Sequence, residues 1–285
     1  MTGAQGKGGR VAGQAGSVVS EDGTHIGYRR TGEGPPLVLV HGTSADHARW
    51  APVLPALGER FAVYAIDRRG QAGSGDAKDH SLEREVEDVT AVVDAVGGSV
   101  GGPVRLLGHS YGAICCLEAV SRRPASVDGI VLYEPPLPTG AAAFPAEAVG
   151  RVEALIEVGD RDEAVAVFLR EVAGMAPPQV GRMRAEPDWP KRVATAHTLP
   201  REARAAEGYT LDPARLQELR TRTLLLLLGG ESPPLFKAAT EALDEALPDS
   251  RVVVMPGQGH VAMHTAPELF AGLVVGFLAQ ERAAP

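Results

Sequence analysis

Along the chain, short runs of apolar residues that end at glycine or a polar residue alternate with longer stretches in which apolar positions recur every three or four residues. Runs of the first kind read as buried strands, and stretches of the second kind as helices with one face on a core. The strand candidates are 17–21, 25–31, 37–41, 61–66, 104–107, 129–133, 223–228 and 251–255. Leu82, Val86, Val89, Val93 and Val96 keep helical spacing, with Ser81 placed to cap the first turn. A second helix is predicted from Tyr111 to about Arg122. A last one is predicted from Thr265, where Thr265 and Glu268 form a capping box ahead of Leu269, Leu273 and Phe277. Strands alternating with helices predict an α/β fold with a mainly parallel sheet covered by helices.

Between 136 and about 208 the alternation stops. Helical patterns at Ala146–Val158, Asp162–Val172, Trp189–His197 and Arg201–Glu207 follow one another with no strand, separated by proline or glycine. In 174–188, Gly174, Pro177, Pro178, Gly181 and Pro187 are expected to interrupt helix formation. The span reads as an all-helical insertion over the sheet, dividing a core of 17–135 and 209–285. Residues 1–16, rich in glycine and without an apolar run for export, read as a disordered leader, which points to a cytoplasmic protein.

Composition narrows the function. The 285 residues are 44% hydrophobic and 22% charged, enough for one large core, and a net charge of -8 supplies no basic patch for nucleic acid or an anionic membrane surface. The longest leucine run, Leu224 to Leu228, has the length of a buried strand and not of a membrane span. Cys115 and Cys116, the two cysteines, are adjacent in an apolar helical pattern and read as core packing, because neighbouring side chains diverge. No cluster has metal-ligand spacing, and no cofactor is implied. The expected partner is a small molecule, and nothing in the pattern specifies an oligomeric state.

Gly108-His109-Ser110-Tyr111-Gly112 fits G-x-S-x-G, but so does Gly97-Gly98-Ser99-Val100-Gly101. Context separates them. A strained turn that exposes a nucleophile needs a strand leading in and a helix leading out. Ser110 has both, whereas Ser99 follows a helix and precedes a strand, within a glycine-rich loop. Ser110 is therefore the candidate nucleophile. His41-Gly42-Thr43 follows the strand at 37–41, where a loop can offer a backbone N–H to a developing oxyanion, with Thr43 and Tyr111 as donors. A serine hydroxyl needs a base, and His260, in Gly257-Gln258-Gly259-His260 after the last strand, is the candidate among eight histidines. His41, Gly42, His109 and Trp189 are the candidate pocket residues.

HGTS at 41–44, DRRGQAGSGD at 67–76, GHSYG at 108–112 and GQGH at 257–260, in this order, resemble the α/β-hydrolase superfamily over roughly 18–285. The resemblance implies an eight-stranded sheet, a helical cap inserted after the sixth strand and a site between them. It also implies that Asp67, Arg69 and Gly70 shape a supporting loop. The superfamily's usual acid, an Asp in G-x-x-D after the seventh strand, is replaced by Ser232 in LLLLLGGESPP, and serine cannot stabilise an imidazolium as a carboxylate does. Two glutamates offer substitutes. Glu231 is one residue out of register, and Glu134 ends the sixth strand before Pro135-Pro136, a position from which some relatives take their acid. Glu134 is preferred, since a carboxylate at the tip of a buried strand needs a partner. The expectation is a hydrolase acting on an ester, lactone or thioester of a small apolar molecule through Ser110, His260 and Glu134. A non-hydrolytic or ligand-binding member of the same fold (cyclase, lyase, haloperoxidase-like or receptor-like) is the alternative.

Overall fold

The structure, a computed structural model, describes residues 13–139, 144–212, 215–216, 219, 224–247 and 249–280. The strands are β1 (Gln14–Val19), β2 (His25–Thr31), β3 (Pro36–Val40), β4 (Ala62–Ile66), β5 (Val104–His109), β6 (Val127–Tyr133), β7 (Leu224–Gly229) and β8 (Arg251–Met255). They form one sheet in the order β1-β2-β4-β3-β5-β6-β7-β8. β2 pairs antiparallel with both β1 and β4, and every pairing from β4 to β8 is parallel.

Side chains alternate across a strand, so β3 to β7 each feed two cores. Val38 and Val40 of β3, Leu106 of β5, Ile130 of β6 and Leu226 of β7 lie on one face. They pack there with α2 (Leu82–Val100), α3 (Tyr111–Arg122) and the helix at Pro234–Ala246. Leu37 and Leu39, Leu107, Val131, Leu225 and Leu227 face the other way, towards α1 (Leu54–Gly58) and the last helix, Pro267–Gln280. Strands buried on both faces read as unbroken apolar runs, which is why they were legible. Cys115 and Cys116 are buried free thiols in the first core.

Between β6 and β7 the described residues contain helices and no strand: α4 (Ala146–Glu157), α5 (Arg161–Val167) continued by a wide turn at Phe168–Val172, α6 (Pro177–Arg184), α7 (Trp189–Ala194) and α8 (Thr198–Glu207). They share a third apolar cluster that includes Val152, Val165, Phe168 and Leu199. Further along the chain come α9 (Pro234–Ala246), α10 (Ala262–Thr265) and α11 (Pro267–Gln280).

Several local expectations differ from the structure. β1 opens at Gln14, so residues 14–16 belong to the sheet and not to a leader, and residues 1–12 lie outside the described residues. Pro177 and Pro178 start α6, occupying its first turn, where a missing N–H is no loss. The last helix begins at Pro267, and Thr265 donates its hydroxyl to Gln258 Oε1 at 2.7 Å instead of capping it. Leu269, expected in the core, is 42% exposed. Ser99 sits in the last turn of α2, its hydroxyl donating to the Val96 carbonyl at 2.7 Å, and not in a loop. Ser81 does cap α2, accepting from the Arg84 N–H at 3.3 Å.

Candidate active site

The loops that follow β3, β5, β6, β7 and β8 meet at one edge of the sheet, where parallel strands all end. Ser110 stands between β5 and α3 with φ 55° and ψ -129°, a conformation that costs a non-glycine residue on the order of 1–3 kcal/mol. Its own N–H donates to the Tyr133 carbonyl at 2.8 Å, and its carbonyl accepts from the Ala113 N–H at 2.8 Å, so both neighbours clamp the turn. The turn also needs close approach. A Cβ on Gly112 would lie 2.4 Å from the His41 oxygen, and one on Gly42 would lie 2.7 Å from the Ser110 Cβ. His41 and Gly42 therefore run directly against the serine turn. Tyr111 opens α3, where the first N–H groups have no partner within the helix.

Glu134 follows β6 with φ 51° and is fully buried. One carboxylate oxygen accepts from the Gly229 N–H at 2.6 Å, and the other accepts from His260 Nδ1 at 2.5 Å. A carboxylate can only accept, so Nδ1 carries the proton and Nε2 is left as the free ring nitrogen. Glu231 lies elsewhere: it is exposed, and its backbone N–H donates to the Gln258 carbonyl at 2.8 Å.

His260 is held from several sides. Its ring stacks on Phe236 of α9 at 4.2 Å between centroids and lies 4.6 Å from the ring of His109. His109 Nε2 donates to the His260 carbonyl at 2.8 Å, which leaves its Nδ1 deprotonated, buried and without a hydrogen-bond partner among the described residues. Burial, reinforced by the neighbouring His260, pushes the pKa of His109 well below the ordinary imidazole range. The Tyr133 hydroxyl donates to the Gly259 carbonyl and accepts from the Ala262 N–H at 3.1 Å, tying the loop on both sides of His260 to β6. Among the described residues no hydrogen bond joins Ser110 to His260.

The β3 loop is set by its own network. His41 is buried, donates Nδ1–H to the Gly42 carbonyl at 2.8 Å and accepts at Nε2 from the Arg68 N–H at 3.1 Å. Arg68, fully enclosed, joins Glu85 at 2.7 Å and Glu202 at 2.5 Å beneath the Tyr111 ring. It thereby links α2, α8 and the nucleophile turn. Asp67 accepts from the His47 and Gly73 N–H groups, and Arg69 pairs with Asp88 and Asp22. Gly70, at φ 76°, lies in the same segment.

A cavity of about 620 Å³ lies alongside, between residues 44–49 of the β3 loop, the 70–76 segment, the α7 region and His264. Ser110 and His260 do not line it, although Ser44 follows Thr43 directly and His264 stands four residues beyond His260. Most of the residues that line it are polar or charged. Phe168, Leu169 and Trp189 instead pack among the helices α4–α8. Trp189, a candidate pocket residue, is buried, and its indole N–H donates to Asp162 at 2.6 Å. His41, Gly42 and His109 lie against the serine turn and are likewise absent from the cavity wall. Sequence reasoning missed Phe236, Tyr133 and Arg68, which act through contacts between distant segments; only the burial cost of an arginine inside DRRG hinted at a partner. Among the described residues no three His, Cys, Asp or Glu side chains are grouped to hold a metal ion, and no helix is long and apolar enough to cross a membrane.

Comparison with known proteins agrees with this fold. A 2-(acetamidomethylene)succinate hydrolase from Mesorhizobium japonicum is 26% identical over 267 residues, covering 89% of this chain and 91% of that protein. An alpha/beta hydrolase from Sphaerobacter thermophilus is 34% identical, with a TM-score of 0.78 over 92% of this chain and 100% of that one. The esterase RhEst1 from Rhodococcus is 25% identical, with a TM-score of 0.73 over 93% and 98%. The family model described as alpha/beta hydrolase matches residues 37–273. Since that match runs from the first parallel strand into the last helix, the chain belongs to the alpha/beta hydrolase family.

Proposed function

We propose that the protein is a serine hydrolase that cleaves an ester, lactone or thioester bond of a small molecule, with Ser110 as nucleophile, His260 as base and Glu134 as the orienting carboxylate. The observation that carries this reading is the contact of Glu134 with His260 Nδ1 at 2.5 Å, made by a buried strand-tip carboxylate that the Gly229 N–H also holds. That contact fixes the imidazole as the tautomer whose Nε2 can take a proton. Substrate binding brings Nε2 and the Ser110 hydroxyl into hydrogen-bond reach, a contact that commonly tightens only in the loaded site.

His260 then removes the Ser110 proton as the oxygen attacks the carbonyl carbon, and the charge passing to the carbonyl oxygen is met by the N–H groups of Thr43 and Tyr111. The tetrahedral intermediate collapses, the leaving group departs with the proton from His260, and an acyl-serine remains. Water, deprotonated by His260, attacks that acyl group; the acid is released and the proton returns to Ser110. The helices of 136–208 act as a cap that shields the reacting carbonyl and strengthens those contacts.

A pocket that binds without turnover would need no carboxylate on the histidine, so Glu134 favours hydrolysis over that alternative. Fluorophosphonate labelling of the intact protein tests the proposal: one adduct per chain on Ser110 is expected, together with turnover of an ester or lactone in a screen of acyl chains. An unlabelled, folded protein that cleaves nothing in the screen would end it.

A further inference from the structure

In the wall of the cavity beside the β3 loop, two arginines lack carboxylate partners. Arg49 belongs to the turn His47–Trp50, and Arg192 to α7. Other cations of that wall are matched: Lys191 pairs with Asp188 at 2.6 Å, His197 with Asp76 at 3.1 Å and His47 with Asp67 at 2.8 Å. Among the described residues neither Arg49 nor Arg192 makes an ion pair. Arg192 Nη1 donates only to Ser44, through its carbonyl and, at 3.3 Å, its hydroxyl.

The contrast with the rest of the molecule is chemical. Arg68 and Arg69, fully buried where Arg49 and Arg192 are partly exposed, are each held by two carboxylates. Arg49 is surrounded by protein and turns its remaining surface to the cavity; burial first and the charge of Arg192 second push its pKa down to about 10. Two guanidinium groups that repel each other in a poorly hydrated wall cost free energy unless an anion joins them. Asp46 and Glu186 attract both guanidinium groups through space, and Asp188 attracts that of Arg192, but among the described residues none of the three forms an ion pair with them. Asp46 accepts from the Ala48 N–H at 2.8 Å, Asp188 is taken by Lys191, and Glu186 is exposed. They do restrict the guest, because a doubly charged phosphate would meet more repulsion from them than a single carboxylate, whose planar fork matches guanidinium.

We infer that Arg49 and Arg192 form a subsite for a carboxylate of the substrate, which places the hydrolysed bond in a small carboxylic acid. This rests on the hydrolase reading above and names its substrate class. The site is close to the chemistry: Ser44, which Arg192 contacts, follows Thr43, and the charge of Arg49 reaches His109, the neighbour of Ser110.

The test compares two esters of equal length on the intact protein, the 4-nitrophenyl monoester of glutaric acid and its methyl-capped, neutral counterpart. Wild type should prefer the anionic ester in kcat/KM. Losing a charge-assisted hydrogen bond is worth roughly 10- to 100-fold, so Arg192→Gln and Arg49→Gln should each cut that preference by about this factor, mainly through KM. Arg192→Lys should restore part of it. Titration calorimetry of glutarate into wild type, the Gln variants and wild type with inorganic phosphate gives a readout that does not need turnover. Saturable glutarate binding that weakens in both variants supports the subsite. Equal preference in wild type, a preference unmoved by either substitution, or phosphate binding tighter than glutarate overturns it. If Ser110 takes no fluorophosphonate and neither ester is cleaved, the hydrolase reading fails, and the glutarate titration alone decides the subsite.

Discussion

At the scale of single residues, the three proposed catalytic groups differ in what their loss removes. Ser110 is half-buried, and its hydroxyl contributes little packing, so Ser110→Ala should leave the thermal midpoint nearly unchanged and abolish turnover. Wild-type kcat/KM in that variant would remove the serine from the mechanism. Glu134→Gln replaces the carboxylate that holds His260 Nδ1, and kcat should fall by roughly 10³- to 10⁴-fold, against a small change for Glu231→Gln at its exposed position. The opposite ranking in steady-state kinetics would move the role to Glu231. The strained turn at Ser110 and the pairing of His260 with Glu134 were legible because a motif, a place after the last strand and a charge at a buried strand tip each leave a local trace. Phe236 against His260, and Tyr133 bracing Gly259 and Ala262, leave none: each is an ordinary apolar-pattern residue until the fold brings distant loops together.

At the scale of elements, the nucleophile turn depends on backbones packed closer than any side chain allows. Gly112→Ala would put a methyl group 2.4 Å from the His41 oxygen, so the β3 loop or α3 must shift, at a cost of roughly 2–3 kcal/mol. Gly98 offers the converse: it is an exposed position of α2 with open space at its Cβ, and Gly98→Ala should stabilise by roughly 0.5–1 kcal/mol. Urea midpoints that moved the same way for both would contradict this reading of the turn. The parallel strands could be located from sequence to within two residues, because burial on both faces makes β3 to β7 continuous apolar runs and β8 keeps its run of valines. β1 was placed late because Gln14-Ala15-Gly16 lacks any apolar alternation. α6 was missed since a proline pair reads as a breaker until it is known to lie at a helix start, and Thr265 makes the same point: a capping pattern is satisfied by a loop partner instead.

At the scale of the whole molecule, the site edge carries histidines that are buried uncharged, and this sets how stability responds to acid. His41 is pushed down to about 3, by burial first and by the charge of Arg68 second, and His109 lies well below the usual range for the same leading cause. In the unfolded chain both take up a proton near 6.5, whereas the folded protein binds neither until much lower pH. Their contribution is therefore complete above 6.5 and is lost as pH falls towards the folded values. His47 runs the other way, its pKa raised by the bond to Asp67, so its stabilisation is already complete below 6.5 and adds no slope there. Each buried neutral histidine costs up to about 1.4 kcal/mol per pH unit, so unfolding free energy should drop by roughly 2–3 kcal/mol between pH 6 and pH 5, where carboxylates remain ionised. Urea unfolding at fixed ionic strength across that interval measures it. A flat profile would mean that His41 and His109 are charged in the folded protein, and then neither the Arg68 N–H bond to His41 Nε2 nor the unpartnered Nδ1 of His109 could stand as described, since both require a bare ring nitrogen.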